Sequence, residues 1–188
     1  MNYFLDGQKI YLRALTKADV PIWYNWFNDP EVTGYMNKGI FPNTDEIQEA
    51  FYRSITASKN DIQLGVVIKD GEKLIGVVGI HNIDWIHRKG EVSVVIGDQK
   101  SWGQGFATEA ISLIIRHAFT KMNLRRLVAG TWASNIASRR CFEKNGFILE
   151  GTLRESFFYK GTYVDEYRLG LLRSEWERVN MVDAYVIG

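Results

Sequence analysis

Hydrophobic positions along this chain repeat with two different periods, and each change of period marks an element. Residues 9–14, KIYLRA, alternate between apolar and polar and predict an opening strand. Thr16-Lys-Ala-Asp19 has the spacing of a capping box, in which a hydroxyl and a carboxylate three residues apart satisfy free backbone N–H groups. A helix is therefore expected over about residues 17–28, with Pro30 as its stop. Asn43–Glu46 offers a second helix start, continued through Phe51 to Ile55. Between these helices VTGYMNKGIFPN, residues 32–43, reads as a loop whose aromatic and apolar members suit either a small-molecule site or plain packing.

The stretch IQLGVVIKDGEKLIGVVGI, residues 62–80, is the clearest antiparallel signal, because Asp70-Gly71 suits the positive backbone angles of a tight turn between two β-branched runs. GEVSVVIG, residues 90–97, adds a third strand. After Gly105, the apolar positions Phe106, Ala110, Ile111, Ile114, Ile115, Ala118, Phe119 and Met122 recur every three or four residues. They paint one face of a helix ending near Asn123. RRLVAGTW then reads as a strand, NIASRRCFEKNGF as a short helix closed by Asn145-Gly146, and FFYKGTYVDEYRLGLL as a hairpin around Lys160-Gly161. This order predicts a mixed α/β domain (α+β) with a mostly antiparallel sheet flanked by helices. The strands before and after the long helix form its one parallel pair, joined by a crossover.

Composition narrows the class. The 188 residues suit one domain, and a hydrophobic share of 46% with 24% charged residues is ordinary globular usage. A net charge of +1 argues against a nucleic-acid partner, although residues 98–160 carry ten Lys and Arg against five Asp and Glu. No run approaches the roughly 18 apolar residues of a membrane span, and MNYFLDGQKI lacks the layout of a signal peptide. A cytoplasmic protein without membrane association is expected. The single cysteine, Cys141, cannot form an internal disulfide, and no metal site is expected.

The chemistry concentrates in SWGQGFATEA, residues 101–110. A strand, a glycine-rich turn and a helix start form an anion site, since the first backbone N–H groups of a helix are unpaired and its dipole favours negative charge. A nucleoside-triphosphate loop would need lysine after the second glycine, where Phe106 stands. A dinucleotide fingerprint would need glycine or alanine where Thr108 stands. A turn whose glycines merely permit packing is the remaining alternative.

WGQGFATEA followed by NIASRRCFEKNGF resembles the acetyl-coenzyme A motif of the GNAT family of N-acetyltransferases, in the branch of ribosomal-protein N-terminal and spermidine acetyltransferases. The resemblance covers about residues 9–176, leaving a short C-terminal tail, and implies the GNAT acyl-CoA N-acyltransferase fold with acetyl-CoA as cosubstrate. It implies that backbone amides of Gly103, Gln104, Gly105, Phe106, Ala107 and Thr108 hold the pyrophosphate and that Val94, Val95 and Ile96 pair with the pantetheine arm. Asn135 would bond that arm through its amide. One of Arg139, Arg140 and Lys144, with Arg140 the choice, would meet the 3′-phosphate. Trp102 departs from the polar residue usual at its position.

Acetyl transfer from a thioester requires a neutral amine and a protonated leaving thiol. An alkylammonium has a pKa near 10.4, so a base must remove its proton. Glu91 resembles the family's glutamate on the strand that delivers the thioester; the alternative is a strand-end carboxylate with no role. His81, Asp84 and Glu155 are lesser candidates. The family's proton-donating tyrosine is Phe142 here, so Ser138, matching a serine used in the ribosomal-protein branch, is either the acid or an ordinary capping residue. A covalent route through Cys141 lacks a neighbouring base.

Trp23, Tyr24, Trp26, Tyr35, Trp85, Phe158, Tyr159 and Tyr163 are candidate linings for an amine acceptor. That acceptor is a small molecule or a protein N-terminus: a polyamine, an aminosugar, an aminoglycoside or an N-terminal amine. A non-catalytic module that binds or senses coenzyme A is the competing function. A homodimer is an expectation from the family alone.

Overall fold

The computed structural model describes the backbone of residues 3–37 and 40–185, and side chains within these segments as far as residue 180. Two residues of the expected loop 32–43, residues 38 and 39, thus lie outside the described residues. Among the described residues, eight strands form one sheet in the order β1-β2-β3-β4-β5-β6-β8-β7. They are β1 (Leu5–Asp6), β2 (Ile10–Ala14), β3 (Ile62–Ile68), β4 (Lys73–Asp84), β5 (Lys89–Ile96), β6 (Arg126–Trp132), β7 (Ile148–Tyr159) and β8 (Thr162–Leu172). The helices are α1 (Val20–Phe27), α2 (Pro30–Thr33), α3 (Asp45–Ala57), α4 (Phe106–Thr120), α5 (Ile136–Lys144) and α6 (Arg173–Tyr185). All strand pairs are antiparallel except β5 and β6, which the crossover through α4 joins in parallel. The expected fold class and its central parallel pair are therefore observed.

Local chemistry explains the boundaries. The capping residues of the first helix are in place, with the Thr16 N–H donating to Asp19 Oδ2 at 2.8 Å. Helix α1 ends at Phe27, before Pro30. Pro30 does not stop a helix but opens α2, because proline's fixed φ suits a first helical position and the Asp29 carboxylate caps the Glu31 N–H at 2.9 Å. In the β3–β4 turn the positive angles fall on Gly71 (φ 76°) and Glu72 (φ 49°), one residue later than Asp70-Gly71. At the β7–β8 turn, Lys160 (φ 48°) and Gly161 (φ 85°) take them as the sequence indicates. Beyond residue 172 the chain forms α6, whose Trp176 ring packs against Phe119 at 5.6 Å between centroids.

The main core lies between the sheet and α4. Phe106, Ala110, Ile111, Ile114, Ile115, Ala118 and Phe119 are buried as the periodicity requires, and Leu113 joins them; Met122 is only partly buried. They meet Ile80, Val92, Leu127, Ala129, Leu169 and Leu171 from alternate positions of the central strands. Each large side chain so buried stabilises the fold by about 1.5–3 kcal/mol. A second cluster on the opposite face packs Leu15, Trp23, Phe27 and Val77 with Phe51, Tyr52 and Ile55, seating α1 and α3 beside β4 and β5. Trp23 is fully buried there, so it is core rather than site lining. Among the described residues, no helix is long and apolar enough to cross a membrane.

Asp19 ties α1 to the sheet. Its carboxylate is buried and receives both guanidinium nitrogens of Arg13 at 2.7 and 2.8 Å. Burial pushes its pKa up, but the hydrogen bonds from Arg13 and the Thr16 N–H outweigh this and hold it below the ordinary value. A lowered folded pKa means that the stabilisation is complete above the unfolded value near 3.9 and is lost as pH falls through the folded value. Asp19→Asn strands a cation and should cost about 3 kcal/mol in denaturant unfolding at pH 7, with a smaller deficit in acid.

Candidate active site

The pairing of β5 with β6 stops early. Register partners are Lys89 with Arg126, Gly90 with Leu127 and Glu91 with Val128, and beyond these the two strands part. On its other side β5 stays paired with β4 as far as Gly76 and Ile96. Gly97 N–H donates to Ile75 O at 2.9 Å, toward β4. The Ile96 carbonyl, in the same peptide, therefore points the opposite way, into the gap between β5 and β6. Strand alternation gives Val94 the same orientation and turns the backbone groups of Val95 toward Val77. Thus Val94 and Ile96, but not Val95, present main-chain groups to the gap. Trp102 reaches back to this edge, its indole N–H donating to Ile96 O at 2.7 Å.

The glycine turn opens at the same place. Gly103 (φ 73°) and Gly105 (φ 87°) both hold left-handed conformations, and nothing lies within 4 Å of the point where a Cβ would stand on either. Gly105 caps α4, and its carbonyl accepts the first intrahelical bond, from Glu109 N–H at 3.0 Å. The N–H groups of Phe106, Ala107 and Thr108 precede that bond and have no helical acceptor. The Gln104 side chain folds back to Lys100 O at 2.7 Å and braces the turn. Glu109 sits in the first helical turn, where its charge would oppose a phosphate, but its carboxylate is turned aside to the N–H groups of Gln8, Lys9 and Ile10. A cradle of open space, free N–H groups and a helix N-terminus fits a diphosphate.

Helix α5 closes one side of this mouth. Its Asn135 caps it, the side-chain oxygen accepting from Ser138 N–H at 3.1 Å, which leaves the amide NH2 for other bonds. The Thr108 hydroxyl lies 3.6 Å from Cys141 Sγ, and the Asn145 amide bridges Thr108 O at 3.1 Å and Cys141 O at 2.9 Å. Ser138 precedes Cys141 by three residues and so shares its helix face. Phe142 is buried against Phe147 in the core. Arg139 is held by Glu143 at 2.7 Å and lies over the Tyr167 ring, whereas Arg140 is exposed.

At the fork of β5 and β6, Glu91 is half-buried and receives Arg168 Nη1 at 3.3 Å. The same nitrogen donates to Glu166 at 2.8 Å, and Glu166, itself buried, also accepts from the Ser156 hydroxyl at 3.0 Å. The hydrogen bond that Arg168 donates to Glu166, with a smaller contribution from Glu91, raises the Arg168 pKa against the effect of burial. Sequence reasoning missed Arg168 and Glu166. Their signal is the alternation of DEYRLG, which puts both on one face of β8 opposite Gly130 and Trp132 of β6. Two lesser candidates stand apart from this network. Asp84 is turned to His87 at the far end of β4, and Glu155 sits in an exposed bulge of β7, its N–H donating to Asp165. His81 is the register partner of Glu91 and bonds Ser93 Oγ at 2.8 Å, with Asp61 at 3.4 Å on its other nitrogen.

A cavity of about 710 Å³ opens beyond the fork, between α2, residues 36–37 and 40–43, and the β7–β8 turn. Trp132 forms its base, in contact with Tyr35 (5.9 Å), Phe157 (4.7 Å) and Tyr159 (5.4 Å). Of the expected lining aromatics, Phe158 and Tyr159 border the cavity, Tyr35 stacks on Tyr159 and Tyr163 packs on Phe158. Trp85 is elsewhere, its indole bonded to Lys59 O at 3.0 Å. Trp26 packs flat on Gly97, where a Cβ would collide with the ring, and Tyr24 is half-buried on α1. Trp132 and Phe27 line the cavity and were missed, whereas Phe41, which also lines it, belongs to the loop 32–43 that the sequence offered as either site lining or packing. Trp132 was findable as the last position of β6, on the face opposite the core-facing Leu127 and Ala129.

Residues 9–148 match the family described as acetyltransferase (GNAT) domain. The chain is 32% identical over 179 residues to the uncharacterized N-acetyltransferase p20 of Bacillus licheniformis, covering 92% of this chain and 97% of that protein. It is 30% identical over 171 residues to the spermidine N(1)-acetyltransferase of Vibrio cholerae, covering 90% of this chain and 96% of that one. A crystal structure of spermidine N-acetyltransferase from Vibrio cholerae with CoA and spermine superimposes with a TM-score of 0.82 at 27% identity, covering 89% of this chain and 98% of that one. The forked parallel strands, the left-handed glycine turn and the family match agree: this chain belongs to the GNAT family of acetyl-CoA-dependent N-acetyltransferases.

Proposed function

We propose that this enzyme transfers the acetyl group of acetyl-CoA to a primary amine by direct attack with both substrates bound together. The observation that carries this reading is the fork itself. Pairing ends at Glu91 and Val128, so the free edge of β5 and the N-terminus of α4 face one slot. Bound there, acetyl-CoA supplies the activated acyl group. Backbone N–H groups from Gly103 to Thr108 hold its diphosphate, and Val94 and Ile96 hydrogen-bond its pantetheine arm. Asn135 adds its free amide NH2, and Arg140 meets the 3′-phosphate. Glu91, oriented by Arg168, takes the proton of the incoming ammonium directly or through water. Ser138 gives a proton to the departing thiol, the task that Phe142 cannot perform.

Four measurements test the assignment. With an amine panel and mass-spectrometric detection, acetylated product should appear together with free thiol. Tight acetyl-CoA binding with no amine-dependent thiol release would instead establish a coenzyme A-sensing module. Glu91→Gln should lower kcat by about a hundredfold, the low end for a general base, and move the rise in rate toward the amine's own pKa near 10.4. Ser138→Ala should slow turnover about tenfold, and neither change should alter acetyl-CoA affinity by titration calorimetry. Trp102→Phe removes one hydrogen bond that fixes the turn to β5 and should weaken acetyl-CoA binding about fivefold, corresponding to about 1 kcal/mol.

A further inference from the structure

Resting on the N-acetyltransferase reading, we propose that the acceptor is a small primary monoamine with a flat apolar body, and that polyamines are poor substrates. The charge count at the fork sets the number of ammonium groups. Glu91 and Glu166 share the Arg168 guanidinium, so the three side chains carry one net negative charge, enough for a single cation. Two further carboxylates, Asp61 and Asp29, are already engaged. Asp61 accepts from the Ser58 hydroxyl at 2.7 Å and from Asn82 N–H at 3.1 Å. Asp29 uses one oxygen to cap α2 and the other to bind the Gln99 amide at 2.6 Å.

The cavity that would take the rest of the acceptor repeats the message. Trp132 is the register partner of Glu166, so the cavity base adjoins the charged network. Among the described residues, no Asp or Glu lines the cavity, and Lys160 at its rim is the one charged side chain. The neutral lining includes Asn28, Thr33 and Asn43, while Ile40, Phe41 and Phe158 stand exposed by 64–80% around the opening. Exposed apolar side chains around a concave aromatic floor mark a site for an apolar ligand. A polyamine placed here would set its second and third ammonium groups against aromatic walls and a lysine, with no carboxylate to receive them.

Steady-state kinetics of the full chain with acetyl-CoA and either 2-phenylethylamine or spermidine test this. The expected result is a kcat/KM at least tenfold higher for 2-phenylethylamine. Trp132→Ala should raise KM for 2-phenylethylamine about tenfold with unchanged acetyl-CoA affinity. Lys160→Glu, an exposed turn substitution whose one ring contact is that of Lys160 Nζ over Tyr159 at 5.2 Å, should narrow the gap by improving spermidine. A higher kcat/KM for spermidine, or a preference untouched by Lys160→Glu, overturns the proposal. If neither amine is acetylated, the amine panel judges the reaction and binding alone judges the pocket. Saturable quenching of tryptophan fluorescence by 2-phenylethylamine and not by spermidine upholds it, and the reverse result overturns it.

Discussion

A strand inside a sheet must find partners for the main-chain groups on both its edges, and in this protein the second edge of β5 is deliberately left short of them. A buried backbone N–H or C=O without a partner costs free energy comparable to a lost hydrogen bond. Beyond Glu91, β6 no longer supplies those partners. Trp102 answers for one group, the Ile96 carbonyl. The remaining edge is an open demand that a ligand with amide groups of its own can meet. The glycine turn adds a second demand of the same kind, helix N–H groups with no acceptor, at the end of the same slot. Under the proposed assignment, recognition of the cosubstrate rests mainly on backbone geometry, which tolerates Trp102 at that position.

The two faces of the sheet divide the work. On one, α4 and its apolar stripe make the core and fix the direction of the helix N-terminus. On the other, alternate positions of β4, β5, β6 and β8 carry His81, Glu91, Trp132, Glu166 and Arg168. The strand period of two is what lets one set of residues build the fold while its neighbours build the chemistry. Arg168 is central to the second set, because it joins two carboxylates from strands on opposite sides of β6.

The elements set by local periodicity were legible in the sequence: α4 from its three-to-four spacing, the β3–β4 and β7–β8 hairpins from their glycine turns, and the parallel pair from the crossover rule. Signals that depend on context were not. Proline reads as a helix stop, yet at Pro30 it starts a turn because Asp29 precedes it as a cap. Helix α6 has no strong amphipathic stripe, and Trp176 anchors it to Phe119 only through tertiary packing. The left-handed turn was legible in the motif, and the structure gives Gly103 and Gly105 the positive φ that it implies. Arg168 and Glu166 belong to no motif, and only strand register shows that they adjoin Glu91. Aromatic content alone could not separate Trp23, which is core, from Trp132, which floors the cavity.

Hydrogen-exchange mass spectrometry with and without coenzyme A tests the fork most directly, since it reads main-chain N–H groups one segment at a time. The account predicts slowed exchange in segments covering residues 92–97 and 103–108 on addition of the coenzyme, with β3 and α3 unchanged. Unaltered exchange in both segments, with protection appearing instead around residues 36–43 and 158–160, would contradict it.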